Sequence, residues 1–200
     1  MTGKEFLNSL ANGKSDIIQL LLGILAEMGS QYCVIGGLAV NAYVEPVVSL
    51  DVDIVVAVHD VAAVVNTVKD RGLAVEQFEH SINFSSPYSD LRIQVQTDPR
   101  YQAFIAGAKV TDVLGYKMKV AKLEDVLQGK VWAYTDQTRR RSNRQKDLAD
   151  ILRIIEACPE LSNKLPQSLK EELDKITKVK EVLEEELKDV LISNKSRTKK

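Results

Sequence analysis

The chain has 200 residues and a formal net charge of −1, with 44% hydrophobic and 28% charged residues. These values are ordinary for a globular protein and exclude a disordered, collagen-like or low-complexity chain. A nearly neutral chain has no overall field that would attract nucleic acid or a membrane surface, so any affinity for anions must come from local clusters of basic residues.

The first thirty residues are predicted to be helical, because apolar residues recur at three- and four-residue steps through residues 17–28. That stretch is too short, and too interrupted by Gln19 and Glu27, to cross a bilayer. We therefore expect no membrane partner. Cys33 and Cys158 are far apart and lie in apolar surroundings, as core cysteines do. A reducing, cytoplasmic location is the expectation.

Strands and helices alternate in the next part of the chain. Strands are predicted over residues 32–35, 50–58, 74–84 and 91–97, and helices over residues 38–43 and 61–69. Such alternation is typical of an α/β (α+β) domain with a sheet flanked by helices. We assign this core, with its N-terminal helices, to residues 1–115.

The remainder, residues 116–200, is predicted to be a helical region. Helices are expected over residues 123–134 and 146–157. The last predicted helix carries one apolar stripe with a mean step of about 3.5 residues, formed by Leu169, Leu173, Ile176, Val179, Leu183, Leu187 and Val190. A stripe of this kind predicts packing against another helix, and a homo-oligomer formed through the C-terminal helix is one interpretation.

Two short motifs carry the chemistry of the first region. Asp51 and Asp53 lie two apart at the head of the most apolar predicted strand, so their side chains should project from the same face. Neighbouring carboxylates repel each other unless a cation lies between them, and oxygen ligands suit Mg²⁺. Gly36 and Gly37, between a strand and a helix, would expose backbone N–H groups that can hold a polyphosphate.

In this order the motifs resemble the nucleotidyltransferase superfamily, which has the polymerase β-like fold. The matching segments are residues 35–40 and 50–56. Residues 123–126, Lys130 and residues 144–151 are similar to the AbiEii-like and minimal nucleotidyltransferases. The resemblance covers about residues 30–157. It implies a nucleotidyltransferase-like mixed sheet, followed by the helical region. It also implies transfer of a nucleoside monophosphate from an NTP to an acceptor hydroxyl, with two Mg²⁺ ions.

The sequence departs from that family at one position. The family usually has a third carboxylate on a later strand, and Gln94 stands where we expect it. An amide can offer a carbonyl oxygen, but it carries no charge and cannot accept a proton. Asp90 and Asp98 flank the strand without matching the position. Losing a general base typically lowers the rate by about 10²- to 10⁴-fold, so the sequence supports nucleotide binding better than fast catalysis.

Basic residues in the second region have two interpretations each. Lys130 lies on an apolar helix face, where it is either a solvent-reaching lysine or, as the resemblance implies, a ligand of the triphosphate held in place by Asp147. Five cations lie between Arg139 and Lys146. They form either a solvated loop or a phosphate clamp. From this cluster we take Arg144 and Lys146, with Lys130 and Asp147, as candidate nucleotide-binding residues.

The preferred hypothesis is a Mg²⁺-dependent nucleotidyltransferase that binds NTP through Gly36, Gly37, Asp51 and Asp53, with Asp51 and Asp53 as catalytic and metal-binding residues. The acceptor, whether protein, RNA or small molecule, is not defined by the sequence. The alternative is a non-catalytic module of the same fold that binds nucleotide, RNA or a partner protein. A third hypothesis is a helical interaction protein that acts through the C-terminal stripe.

Overall fold

The computed structural model describes residues 2–176. Its contacts divide the chain into two compact units, Met1–Ala157 and Cys158–Lys200. This division falls later than the boundary that we predicted after residue 115. All strands of residues 2–176, and every helix of eleven residues or more in that range, lie in the first unit.

One mixed sheet forms the centre of the first unit. Its seven strands have the spatial order β3-β4-β5-β2-β1-β7-β6. Their bounds are β1 (Tyr32–Ile35), β2 (Asp51–Val56), β3 (Ala74–Gln77), β4 (Ser81–Ser86), β5 (Ser89–Gln96), β6 (Lys109–Val113) and β7 (Tyr116–Val120). Strand β2 lies between β1, its antiparallel neighbour, and β5, its parallel neighbour. The predicted mixed sheet flanked by helices is therefore confirmed.

Six helices surround this sheet. They are α1 (Gly3–Leu10), α2 (Ile17–Glu27), α3 (Gly36–Val40), α4 (Val61–Asp70), α5 (Leu123–Thr135) and α6 (Arg141–Ala157). Local sequence explains where the first two begin. Thr2 and Glu5 form a reciprocal capping box at α1, and the Asp16 carboxylate accepts a hydrogen bond from the Gln19 N–H at the start of α2. The apolar face of α2 is fully buried.

Three predicted elements differ from the structure. Residues 74–84 form a hairpin, β3 and β4, because the polar Glu79 and His80 lie where the chain turns. Strands β6 and β7 were missed, and β7 lies inside the region predicted to be helical. The alternation of buried Tyr116 and Met118 with Lys117 is the period of a half-buried strand. Strand β7 pairs with β1 and so belongs to the central sheet.

The third difference concerns the helix after the glycine pair. Helix α3 begins at Gly36 itself and ends at Val40, so it has only five residues. The chain then runs through a long loop to β2. The Asn41 side chain fixes this loop by donating to the Val47 carbonyl at 2.7 Å and accepting from its N–H at 2.9 Å. Tyr43 also donates to the Ala121 carbonyl at 2.7 Å.

The second unit begins with a 3₁₀ helix, Pro159–Lys164, and residues 167–176 are helical. Of the predicted apolar stripe, Leu169, Leu173 and Ile176 are described, and the residues from Val179 onward lie outside the described range. In residues 2–176 no helix is both long and apolar enough to cross a membrane.

Candidate functional site

The two aspartates of β2 lie at the edge of the sheet next to the glycine pair. Asp51 is exposed and Asp53 is partly buried, whereas Val52 and Ile54 between and beyond them are fully buried. This alternation confirms that both carboxylates project away from the face that Val52 and Ile54 occupy. Antiparallel pairing with β1 brings Ile35, the residue before Gly36, opposite Asp53.

Gly36 lies in direct contact with the Asp53 side chain. Its φ of +68° is one that residues with a side chain rarely adopt. A Cβ atom at this position would lie 2.0 Å from Asp53 Oδ2 and 2.8 Å from its Cγ. Only glycine therefore allows the carboxylate to pack against the backbone at the end of β1.

Gly37 differs from Gly36 in its backbone conformation and in its surroundings. Its φ is not positive, and the nearest atoms to a Cβ would be Asp150 Oδ2 and Ser49 Oγ, both at 3.9 Å. These are ordinary contact distances, so neither the backbone nor the neighbouring side chains of the described residues require a glycine here. An alanine at this position would therefore fit beside Asp150 and Ser49.

Burial dominates the electrostatics of Asp53. It raises the pKa of this carboxyl to about 6, and the negative charges of Asp51 and Asp147 act in the same direction, while Lys130 and Arg139 oppose them. Within residues 2–176 the Asp53 carboxylate has no hydrogen-bond or ion-pair partner. The neighbouring positive charges therefore do not offset the cost of ionising this buried carboxyl. A bound cation would stabilise its ionised form.

The neighbouring strand β5 confirms the expected place of Gln94. The parallel register sets Gln94 opposite Asp53 and Arg92 opposite Asp51. Gln94 is partly buried, and the two flanking carboxylates do not replace it, since Asp98 pairs with Arg100 at 2.6 Å and Asp90 is exposed. Across residues 2–176, no three carboxylate, histidine or cysteine side chains converge as metal ligands.

Arg92 forms an ion pair that the sequence did not indicate. Its Nε and Nη2 donate to the same oxygen, Asp51 Oδ1, at 3.0 and 2.7 Å. Both side chains are about half exposed, at 50% and 51%. The pair forms because the two residues lie directly opposite each other in adjacent strands.

Lys130 is buried between two carboxylates of α6. Its Nζ lies 3.0 Å from Asp147 Oδ1 and 2.7 Å from Asp150 Oδ2. The desolvation that burial imposes on the ammonium group lowers its pKa, but the two carboxylates outweigh this effect and the pKa is raised. Each carboxylate has a second partner: Arg139 Nε lies 3.0 Å from Asp147, and Arg153 Nη1 lies 2.7 Å from Asp150.

This network ties α5, α6 and the loop before β2 together. Arg153 continues it by donating to Asn41 Oδ1 at 3.2 Å and to the Glu45 carbonyl. The ion pair of Lys130 with Asp147, which the resemblance implied, is present. Because the ammonium group already has two carboxylate partners, Arg139 is the more available cation, with 41% of its side chain exposed.

Two of the predicted nucleotide-binding residues lie elsewhere. Arg144 donates through Nε to the Tyr134 carbonyl at 2.7 Å and through Nη1 to Gln137 at 3.0 Å, and its guanidinium lies over the Tyr134 ring. It thus stabilises the end of α5. Lys146 is exposed on α6. Neither residue lines the cavity beside Asp53.

A cavity of about 70 Å³ joins these groups. Its polar walls are Asp53, Gln94, Lys130 and Arg139, and its apolar wall includes the rings of Tyr101 and Phe104. Gly129 makes room for this wall, since a Cβ there would lie 3.1 Å from Tyr101 Cε1. The volume holds several water molecules, so a ligand as large as a nucleotide must extend outward from it.

Comparison with solved structures identifies the fold. The chain is similar to ANT(2'')-Ia in complex with adenylyl-2''-tobramycin, with a TM-score of 0.55, 15% identity and coverage of 73% of this chain and 91% of that one. The solution structure of the antibiotic-resistance factor ANT(2'')-Ia matches with a TM-score of 0.53, 12% identity and coverage of 84% and 95%.

An antigenic nucleotidyltransferase-like protein from Paracoccidioides brasiliensis matches with a TM-score of 0.52 and 17% identity, over 91% of this chain and 92% of that one. The chain therefore has the nucleotidyltransferase fold, as its motifs predicted. No protein-family model matches the sequence, and no curated protein does. The AbiEii-like subtype stays a prediction.

The residues present fit one divalent cation. Asp51 and Asp53 offer carboxylate oxygens from one strand, and the start of α3 lies in contact with Asp53. Mg²⁺ is commonly bound by one or two carboxylates together with substrate phosphates, so this donor set suits an ion that arrives with a polyphosphate.

Proposed function

We propose that this chain transfers a nucleoside monophosphate from a Mg²⁺-bound NTP to an acceptor hydroxyl. The observation that carries the proposal is the contact between Gly36 and Asp53, which places a buried carboxylate with a raised pKa at the start of α3. A carboxylate in this state is costly for the fold and is typical of functional sites.

In this proposal one set of residues binds the metal and another binds the phosphates. Asp51 and Asp53 would hold Mg²⁺, which would neutralise charge on the phosphate oxygens when bound. The N–H groups at the start of α3 would hold the polyphosphate, because neither Gly36 nor Gly37 carries a side chain beside them. Arg139, exposed at the cavity wall, would add a guanidinium donor, a group that pairs well with phosphate.

The reaction forms one bond and breaks one. The acceptor oxygen attacks the α-phosphorus, the bond from that phosphorus to the bridging oxygen of the β-phosphate breaks, and pyrophosphate leaves. Gln94 cannot accept the hydroxyl proton, so this proton leaves to solvent. Positioning and charge neutralisation supply most of the catalysis in phosphoryl transfer, and a slow enzyme without the third carboxylate is consistent with that balance.

The nature of the acceptor is not needed to test this proposal, since water can replace it. Hydrolysis at the α-phosphorus of [α-³²P]ATP gives AMP and pyrophosphate, whereas a contaminating ATPase gives ADP. We expect the wild-type chain to form AMP in the presence of Mg²⁺ and Asp53→Asn to form none. Asp90→Asn, an exposed residue outside the site, is the matched control. Equal AMP formation by wild type and Asp53→Asn contradicts the proposal.

A second function is favoured by one observation, the position of Gln94 opposite Asp53. Without a proton acceptor there, the chain could bind nucleotide as a non-catalytic module. Such a module would bind ATP with Mg²⁺ and form no AMP. AMP formation by the wild-type chain separates the two functions. An enzyme forms AMP before any substitution, and Gln94→Asp should raise its rate by about 10²-fold or more, whereas a module that lacks only the proton acceptor should form AMP only after Gln94→Asp.

A further inference from the structure

The ion pair between Arg92 and Asp51 has a consequence for metal binding, on the condition that the proposed function holds. We infer that the site binds a single divalent cation, and that the Arg92 guanidinium permanently supplies the positive charge that a second ion would otherwise bring. The inference concerns the two positions of β5 that face Asp51 and Asp53, namely Arg92 and Gln94.

Charge is the first argument. Asp51 and Asp53 contribute two negative charges, and Arg92, bonded to Asp51, contributes one positive charge. Gln94 contributes none. One divalent cation already exceeds the net negative charge of these four side chains, and a second would be repelled both by the first and by the guanidinium.

The number of oxygen donors is the second argument. Mg²⁺ prefers six oxygen ligands in octahedral geometry. Both Arg92 hydrogen bonds go to Asp51 Oδ1, which leaves Oδ2 outside this contact. With the Asp53 carboxylate, that is enough to anchor one ion. A second ion would need another carboxylate at Gln94, where there is a single neutral carbonyl oxygen.

The third argument is that the backbone holds Arg92 beside Asp51. An exposed ion pair is weak, so its strength does not exclude a metal ion. The position of Arg92 disfavours a second ion, because the Arg92 N–H donates to the Leu50 carbonyl at 2.9 Å and holds the residue in register opposite Asp51.

The test counts bound Mn²⁺ in the full chain by electron paramagnetic resonance, alone and with one equivalent of α,β-methylene-ATP. We expect one Mn²⁺ per chain in both conditions for wild type. Arg92→Gln should still bind one ion but about tenfold more tightly, since a nearby positive charge is removed. Arg92→Gln/Gln94→Asp should bind two ions when the nucleotide is present.

A matched control is available outside the candidate site. Arg71 pairs with Glu27 at the same distance of 2.7 Å, also at an exposed site. Arg71→Gln should therefore bind one Mn²⁺ with wild-type affinity. Two ions on the wild-type chain, or an Arg92→Gln affinity equal to that of wild type, overturn the inference and leave the proposed function standing. A chain that binds neither Mn²⁺ nor the nucleotide overturns both.

Discussion

Replacing Asp53 by asparagine should stabilise the metal-free protein at neutral pH. Burial raises the pKa of this carboxyl from 3.8 to about 6 in the folded chain. A difference of about two pKa units corresponds to about 3 kcal/mol, at about 1.4 kcal/mol per unit. Asparagine has nearly the same shape and no charge, so we expect a gain of about 2–3 kcal/mol in the free energy of unfolding.

The sign of this effect depends on pH. Well below pH 3.8 the carboxyl is protonated in both the folded and the unfolded chain. Its burial then does not lower the free energy of unfolding. As the pH rises from there to about 6, the unfolded chain ionises first, so the folded state loses stability relative to the variant. Above about pH 6 the whole difference is present.

Urea denaturation in EDTA, followed by circular dichroism at pH 8 and pH 4, measures the difference. Asp90→Asn is the matched control, because this side chain is exposed and outside the site, and the substitution should change stability by less than about 1 kcal/mol. A variant Asp53→Asn that is no more stable than wild type at pH 8 would refute the argument that burial destabilises the ionised form of this carboxyl.

Three further predictions concern the surroundings of the site. Lys130→Met should destabilise the fold by about 3 kcal/mol in urea denaturation, since it leaves two carboxylates without their shared buried partner; an unchanged midpoint would contradict the network. Gly36→Ala should cost at least about 2 kcal/mol in the same assay, because of its left-handed backbone and the contact with Asp53; wild-type stability would show that this contact is absent. Burial raises the pKa of Cys33 to about 12, so Ellman's reagent at pH 8 should modify only Cys158 in the native chain and both thiols in urea; two rapidly reacting native thiols would be inconsistent with the buried strand.

Much of the central fold is predictable because its elements are local. Strand β2 combines four residues of high strand propensity with two aspartates at alternate positions, and the residues before Gly36 form a short apolar run. The strands farther from the centre of the sheet were harder to predict from the sequence. The segment Tyr116–Val120 has the correct period, but it is short and contains two lysines, and only its pairing with β1 makes it part of the sheet.

The site shows the same division between local and long-range information. Asp51, Asp53 and the glycine pair are visible as neighbours in sequence. The Arg92 ion pair depends on the register of two strands that are 41 positions apart, and nothing local specifies that register. Arg144 shows a contact of the same long-range kind: its place in a basic cluster predicts phosphate binding, and in the structure it donates to the Tyr134 carbonyl at the end of α5.

The most direct test of the central claim, a nucleotide cradle formed by the glycine pair and the β2 aspartates, is calorimetric titration of α,β-methylene-ATP with Mg²⁺ into wild type and Gly37→Ala. The added methyl group has room in the free protein, at 3.9 Å from its nearest neighbours, so the variant should unfold like wild type. In the proposed complex the methyl group would crowd a phosphate bound to the N–H groups at the start of α3, and binding should fall at least about tenfold, which corresponds to about 1.4 kcal/mol. Equal affinities of the two proteins, or no binding to wild type, would contradict the account.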